Sequence, residues 1–173
     1  MGAETVPIIE DEDIPVFAEA APGIYRGAQP SAEGYRKLKE KGIKTVVNFR
    51  HEKDQIEFGK KHAETHGMTY ISLPWMIYGE LNPGTVEAFF EIATDPAKQP
   101  VFFHCKRGVE RTGVLLAFYY IKYENLPPDE AYLKAFEGFP LKFIWKPFVK
   151  SKFNAYKGKI KPNLPSGTQA RLF

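Results

Sequence analysis

Between Pro100 and Tyr123 the chain changes character twice. Val101-Phe102-Phe103 is a short continuous apolar run. His104-Cys105-Lys106-Arg107-Gly108-Val109-Glu110-Arg111 is mostly polar and charged, and Thr112 to about Tyr123 is apolar at nearly every position. A strand that is apolar on successive residues is covered on both faces, which is the habit of parallel sheets. A strand, a tight loop and a buried helix in that order therefore require a layered α/β fold with this strand near its centre.

The rest of the sequence fits that frame. Gly23-Ile24-Tyr25-Arg26 reads as a short strand, Lys44–Phe49 as a second and Met68–Leu73 as a third, each rich in β-branched or aromatic residues. Helices are expected near 31–41, 52–66, 83–93, 112–123, 129–138 and 147–156. Ser31 caps the first, Gly42 and Gly67 stop the first two, and Asn82-Pro83 opens the third. The expected architecture is α/β, with a central, mainly parallel sheet of four to five strands and helices on both faces. Residues 1–22 read as an acidic arm, 23–156 as the folded domain and 157–173 as a basic tail.

Charge sharpens these boundaries. Residues 1–20 hold six acids and no Lys or Arg, which leaves 24 basic and 15 acidic residues in 21–173, a net of +9. After Glu137 there is no acid, while Lys142, Lys146, Lys150, Lys152, Lys157, Lys159, Lys161 and Arg171 follow. A basic body suits an anionic partner. No base-reading motif accompanies it, so nucleic acid is not expected. The mean hydropathy of -0.35 and the lack of a long apolar run argue against a transmembrane segment. The acidic N-terminus is unlike a signal peptide. The expectation is a soluble cytoplasmic monomer, or an exported protein had its N-terminus been trimmed.

Cys105 is the only cysteine, which excludes an intrachain disulfide framework, a Cys-rich zinc module and a CxxC redox pair. Its setting points to chemistry. A short loop running from a strand into a helix N-terminus aims several backbone N–H groups at one spot, a nest for a tetrahedral oxyanion. Gly108 gives the loop the backbone freedom it needs. Arg111 can grip two phosphate oxygens with its planar fork. The same helix terminus and cation favour a thiolate at Cys105. The competing reading is a cysteine that is simply a small buried hydrophobe.

The run His104-Cys105-x5-Arg111-Thr112 resembles the signature loop of the cysteine-dependent phosphatases, the protein tyrosine phosphatase superfamily, with Gly108 at the usual glycine. Ile24-Tyr25-Arg26-Gly27-Ala28-Gln29-Pro30 and Thr45-Val46-Val47-Asn48-Phe49-Arg50 extend the likeness to the small dual-specificity-type members, over roughly 23–140. The resemblance implies two-step phosphomonoester hydrolysis without metal or cofactor. Cys105 would attack phosphorus and form a phosphocysteine that water then hydrolyses. Arg111 and the amides of Lys106, Arg107, Gly108, Val109 and Glu110 would hold the phosphoryl oxygens. Thr112 would hydrogen-bond the sulfur, and His104 would order the loop from beneath.

The family's usual general acid, an Asp on a loop some 25–40 residues before the cysteine, has no counterpart in Pro74–Pro83. Glu80 is its only carboxylate and the first candidate, Glu110 the second and Asp54 the third. Lys106-Arg107 inside the loop resembles relatives directed at inositol phosphates, including atypical dual-specificity enzymes that cleave inositol pyrophosphates and bacterial phosphatase-like phytases. A small polyphosphorylated substrate such as inositol hexakisphosphate is therefore expected, with Arg50 and Lys142 as possible further contacts. Trp75, Met76 and Tyr78 could instead wall a phenyl ring, as in a tyrosine or dual-specificity phosphatase acting on a phosphoprotein. A phosphate-binding module with little turnover is the third reading. His62 and His66, four apart on a helix, lack a third ligand, and no metal is expected.

Overall fold

The computed structural model describes residues 4–164. Five strands form one sheet: β1 (Ala18–Ala21), β2 (Ile24–Gly27), β3 (Thr45–Asn48), β4 (Thr69–Ser72) and β5 (Val101–His104). Their order across the sheet is β1-β2-β5-β3-β4. Only the β1–β2 pairing is antiparallel; the others are parallel, with β5 between β2 and β3. The helices are α1 (Ala32–Glu40), α2 (Lys53–Thr65), α3 (Pro83–Thr94), α4 (Glu110–Tyr123), α5 (Pro128–Phe136) and α6 (Lys146–Tyr156). A one-turn 3-10 helix, Phe143–Trp145, leads into α6.

The apolar run in β5 is buried on both sides because successive side chains leave opposite faces of the sheet. Val101 and Phe103 join Val47 in a core completed by Phe89 of α3, Leu115 and Phe118 of α4, Ala135 of α5 and Phe153 of α6. Phe102 and Val46 face the other way, against Tyr35 and Leu38 of α1 and Ala63 of α2. Two helices thus cover one face and four the other, as the α/β expectation required. The Ser31 hydroxyl accepts from the Gly34 amide and the Asn82 side chain from the Gly84 amide, so both expected caps form.

The expected arm is part of the fold. Val6, Ile14 and Phe17 are buried. Ile9 pairs with Phe17, β1 extends the sheet beyond β2, and the Phe17 ring stacks on Tyr25 at 5.5 Å. Two of the six acids are tied down: Asp11 and Asp13 pair with Lys37 of α1 at 3.0 and 2.7 Å. Each apolar residue there docks separately, so no period marks the segment in sequence. The boundary at 22 falls inside the β1–β2 hairpin. The described start of the expected tail also packs, since the Asn163 amide donates to the Lys122 carbonyl of α4. Residues 165–173, with Arg171, lie outside the described residues. Among those described, no helix is long and apolar enough to cross a membrane.

Register places the site. Gly27 and Asn48 both pair with His104, so β2, β5 and β3 end level with one another. The segments leaving their carboxyl ends are neighbours in the crevice where open α/β sheets bind ligands. If the N-terminal segment is integral, Phe17→Ala lowers unfolding free energy by ~3–5 kcal/mol, the cost of deleting a buried aromatic side chain. Chemical denaturation measures this; a loose arm would give a change below ~0.5 kcal/mol.

Candidate active site

The loop from Cys105 to Val109 joins β5 to α4, and its curve is set from behind. Gly108 has φ +71. A Cβ there would lie 2.3 Å from the Gly27 carbonyl carbon and 2.5 Å from the Ala28 nitrogen, so the end of β2 presses directly on the loop. No side chain fits, on space or on backbone angle. The Gln29 amide donates to the Lys106 carbonyl at 3.2 Å and the Phe49 amide to the His104 carbonyl at 2.9 Å, stitching the loop to both flanking strands. The amides of Lys106 to Val109 donate to no backbone carbonyl among the described residues. Those of Glu110, Arg111 and Thr112 belong to the open first turn of α4. Amides left open in this way, at the positive end of a helix dipole, are available to an anion.

Beneath the loop sits Arg26, fully buried. Its Nη2 donates to the Gly108 carbonyl at 2.9 Å and its Nη1 to the Ala135 carbonyl of α5 at 2.6 Å. Its guanidinium lies 3.7 Å from the centre of the Phe139 ring. Burial pushes its pKa down to about 10, so it stays charged at neutral pH. No carboxylate pairs with it among the described residues. His104 is also fully buried, and burial holds its pKa down to about 3, so it is neutral. Its Nδ1 lies 3.2 Å from the Cys105 carbonyl and donates to it.

A cavity of about 280 Å³ opens above the loop. Lys106, Arg107, Glu110 and Arg111 contribute to its wall, with Glu52, Met76, Ile77, Tyr78 and Trp145 around them. Cys105 is only 1% exposed and lies below this wall. The Arg111 Nη1 donates to the carbonyls of Phe49 (3.1 Å) and Trp75 (3.4 Å), which leaves Nη2 and Nε without a protein partner among the described residues. The Thr112 hydroxyl, expected to bond the sulfur, is buried with no partner.

Three expected contacts are placed elsewhere. Arg50 does not line the cavity; Glu52 grips it at 2.8 and 3.2 Å, and Gln29 and Gln55 accept from its remaining nitrogen. Lys142 is exposed on the approach to the 3-10 turn, outside the cavity wall. Glu80 is exposed and off the wall, and so is Asp54, which accepts from Gln55. Of the acid candidates only Glu110 reaches the wall. It is buried against Arg107 at 2.9 Å, and Arg107 in turn covers the Trp145 ring at 4.7 Å. The expected pair of free cations in the loop is thus reduced, since Glu110 balances Arg107. Glu52 and Trp145 were not singled out from sequence, because each reaches the wall from a distant element. His62 packs on Phe58 and Tyr35 in an aromatic cluster.

The chain is similar to known proteins in sequence and in fold. The family described as DSP-PTPase phosphatase fused to NAD+ kinase matches residues 7–134. NAD kinase 2, chloroplastic, of Arabidopsis thaliana is 31% identical over 117 residues, which are 61% of this chain and 11% of that protein. Dual specificity protein phosphatase TpbA of Pseudomonas aeruginosa is 29% identical over 101 residues, 58% of this chain and 44% of TpbA. Its crystal structure superposes with a TM-score of 0.73 at 21% identity, covering 87% of this chain and 90% of the other. Inositol diphosphatase SIW14 of Saccharomyces cerevisiae is 29% identical over 119 residues, 63% of this chain and 41% of SIW14. The chain spans less than half the length of each of these curated relatives. With three quarters of its residues inside the family match and with the fold shared, the chain belongs to the DSP-PTPase family of dual-specificity-type, cysteine-dependent phosphatases.

Proposed function

We propose that this chain hydrolyses phosphate esters or anhydrides through a phosphocysteine at Cys105. The observation that carries the reading is the shape of the 105–111 loop: free amides, a glycine that only this curve needs, and Arg111 at the cavity wall with two nitrogens unengaged. The Cys105 thiolate attacks phosphorus, the bond to the leaving oxygen breaks, and that oxygen departs with the bonding pair. Water then attacks the phosphocysteine, the P–S bond breaks, and inorganic phosphate leaves with the thiolate restored. Arg111 and the loop amides hold the equatorial oxygens, where charge is concentrated in both steps. Thr112, buried and otherwise unpartnered, is the nearby hydroxyl available to the departing sulfur. Arg26 adds positive potential from below, and its own charge is favoured by Cys105.

The wall bears on the substrate class. A proton donor to the leaving oxygen must be neutral before it acts. Arg50 holds Glu52 at a pKa of about 2, and Arg107 pairs with Glu110. Glu52 is therefore held as an anion, and the Glu110 side chain is engaged by Arg107. Such a site favours leaving groups that are stable as anions. A phosphate leaving from a diphosphate qualifies, its second pKa being ~6; an alkoxide does not. We infer a polyanionic substrate, an inositol polyphosphate bearing a diphosphate group, drawn in by the net +9 of residues 21–173. The name of the relative SIW14, an inositol diphosphatase, supports this class. Tyrosine phosphate is the second reading, because a phenolate of pKa ~10 also leaves readily. Met76, Ile77, Tyr78 and Trp145 offer it apolar walls, and TpbA has been crystallised with phosphotyrosine.

Three outcomes check these roles. Cys105→Ser lowers kcat by more than ~10⁴-fold on every substrate, while Arg111→Lys costs ~10²–10³-fold. Steady-state assays on an aryl phosphate measure both; turnover surviving Cys105→Ser removes the mechanism. Glu80→Gln changes kcat by less than about twofold on a diphosphate and on an aryl phosphate, against the ~10²–10⁴-fold that loss of a working general acid costs. A large loss confined to alkyl phosphates would make Glu80 the acid. In a panel of inositol diphosphates, inositol hexakisphosphate, phosphotyrosine peptide and aryl phosphate, the inositol diphosphates give the highest kcat/KM, and this preference falls as salt rises from 0.01 to about 0.15 M. A preference for peptide at both salt concentrations selects the second reading.

A further inference from the structure

The mouth of the cavity has an apolar rim that the proposed reaction does not use. Phe143 and Ile144 stand at the tip of the 3-10 turn, 86% and 67% exposed. Phe148, on the first turn of α6, is 41% exposed, and Tyr78 across the cavity is 58% exposed. Trp145 links the two sides: it lines the cavity, and its ring lies 5.9 Å from Phe148 and next to Arg107. Four of these residues, Phe143, Ile144, Trp145 and Phe148, fall within six positions of the chain, and Tyr78 shares the cavity wall with Trp145, whereas most soluble surfaces scatter such side chains singly.

The turn is also held in place. Gly138 reverses the chain at φ +81, Pro140 precedes the turn, and Pro147 opens α6 directly after it. Behind the tips, Val149 and Phe153 anchor α6 in the core. The exposed tips are therefore presented by a fixed support and gain nothing from the fold they leave.

Charge decides what covers them. Lys142 and Lys146 bracket Phe143-Ile144-Trp145, Lys150 follows one turn later, and all three are exposed. Lys106 adds a fourth cation at the cavity wall. From residue 138 onward the sequence contains no acid. Along residues 143–150, exposed aromatic and aliphatic side chains interleaved with lysines and no acid match the interface of an anionic bilayer, where aromatic rings settle at headgroup level. Each lysine near such a surface contributes about 1 kcal/mol. Protein–protein interfaces are depleted in lysine, whereas three lysines flank this turn.

We propose that the Phe143–Phe148 rim docks this protein on an anionic lipid surface, with the cavity mouth turned toward the headgroups. The docking stands on the rim alone; that the cavity then acts on phosphate at the surface rests on the phosphatase reading above. The test is co-sedimentation of the full chain with phosphatidylcholine vesicles, with and without phosphatidylserine, alongside aryl phosphate hydrolysis in free solution. The wild type binds the phosphatidylserine vesicles at least about tenfold more strongly than pure phosphatidylcholine, and less so at high salt. Phe143→Ser/Ile144→Ser loses at least about tenfold of that binding, by removal of two buried apolar side chains, with its aryl phosphatase activity unchanged. If the wild type ignores anionic vesicles at low salt, the inference is overturned and the rim falls to a protein partner. Equal binding by wild type and double variant overturns it as well. Absent aryl phosphate turnover with intact docking would overturn the phosphatase reading alone.

Discussion

The contact between Gly108 and the end of β2 is the constraint on which the site depends. Gly27 and Ala28 lie so close behind the loop that a single added carbon would overlap their backbone. Among the described residues the amides of Lys106 to Val109 donate to no backbone carbonyl. Arg26 then fixes the distance: one end of its guanidinium takes the Gly108 carbonyl and the other the Ala135 carbonyl of α5. Loop, sheet and α5 are thereby joined through one side chain. A buried cation without a carboxylate is normally expensive. Here two carbonyl oxygens and an aromatic face offset part of the cost, and the residual positive potential falls where an anionic sulfur and a phosphoryl group would need it.

Arg111 plays the corresponding part above the loop. By donating to the carbonyls of Phe49 and Trp75 it ties the wall of the cavity to the end of β3 and to the segment after β4. The other arginines are spent on carboxylates: Arg50 on Glu52, Arg107 on Glu110. The cavity is thus less cationic than a count of the basic residues around it suggests, and Glu52 is held as a carboxylate. Both features follow from pairing at 2.8 to 2.9 Å rather than from composition.

Local patterns carried much of this into view from sequence. The β5–loop–α4 unit announces itself because its hydrophobicity, its glycine and its arginine act on near neighbours. Parallel pairing and two covered faces follow from the same apolar run. What sequence concealed is long-range. Arg26 reaches partners 82 and 109 residues away, and Trp145 arrives at the wall from beyond α5. The N-terminal segment looked like an arm because acids dominate it, yet Ile14 and Phe17 fill the core and its acids face Lys37. Lys142 looked like a substrate contact because it lies in a basic stretch, while its place is on the exterior beside the apolar rim. Glu80 was singled out as the only carboxylate in its loop, a count that says nothing of where the loop points.

Everything in the proposed chemistry passes through a covalent bond between Cys105 and phosphorus. Acid-quenching the enzyme within its first turnovers and mapping its peptides by mass spectrometry detects that bond directly. The account predicts one phosphoryl group on the peptide that contains Cys105, forming at the rate of leaving-group release and decaying as inorganic phosphate appears. Turnover of the same substrate with no phosphoryl group on that peptide, or with the group on another side chain, would contradict it.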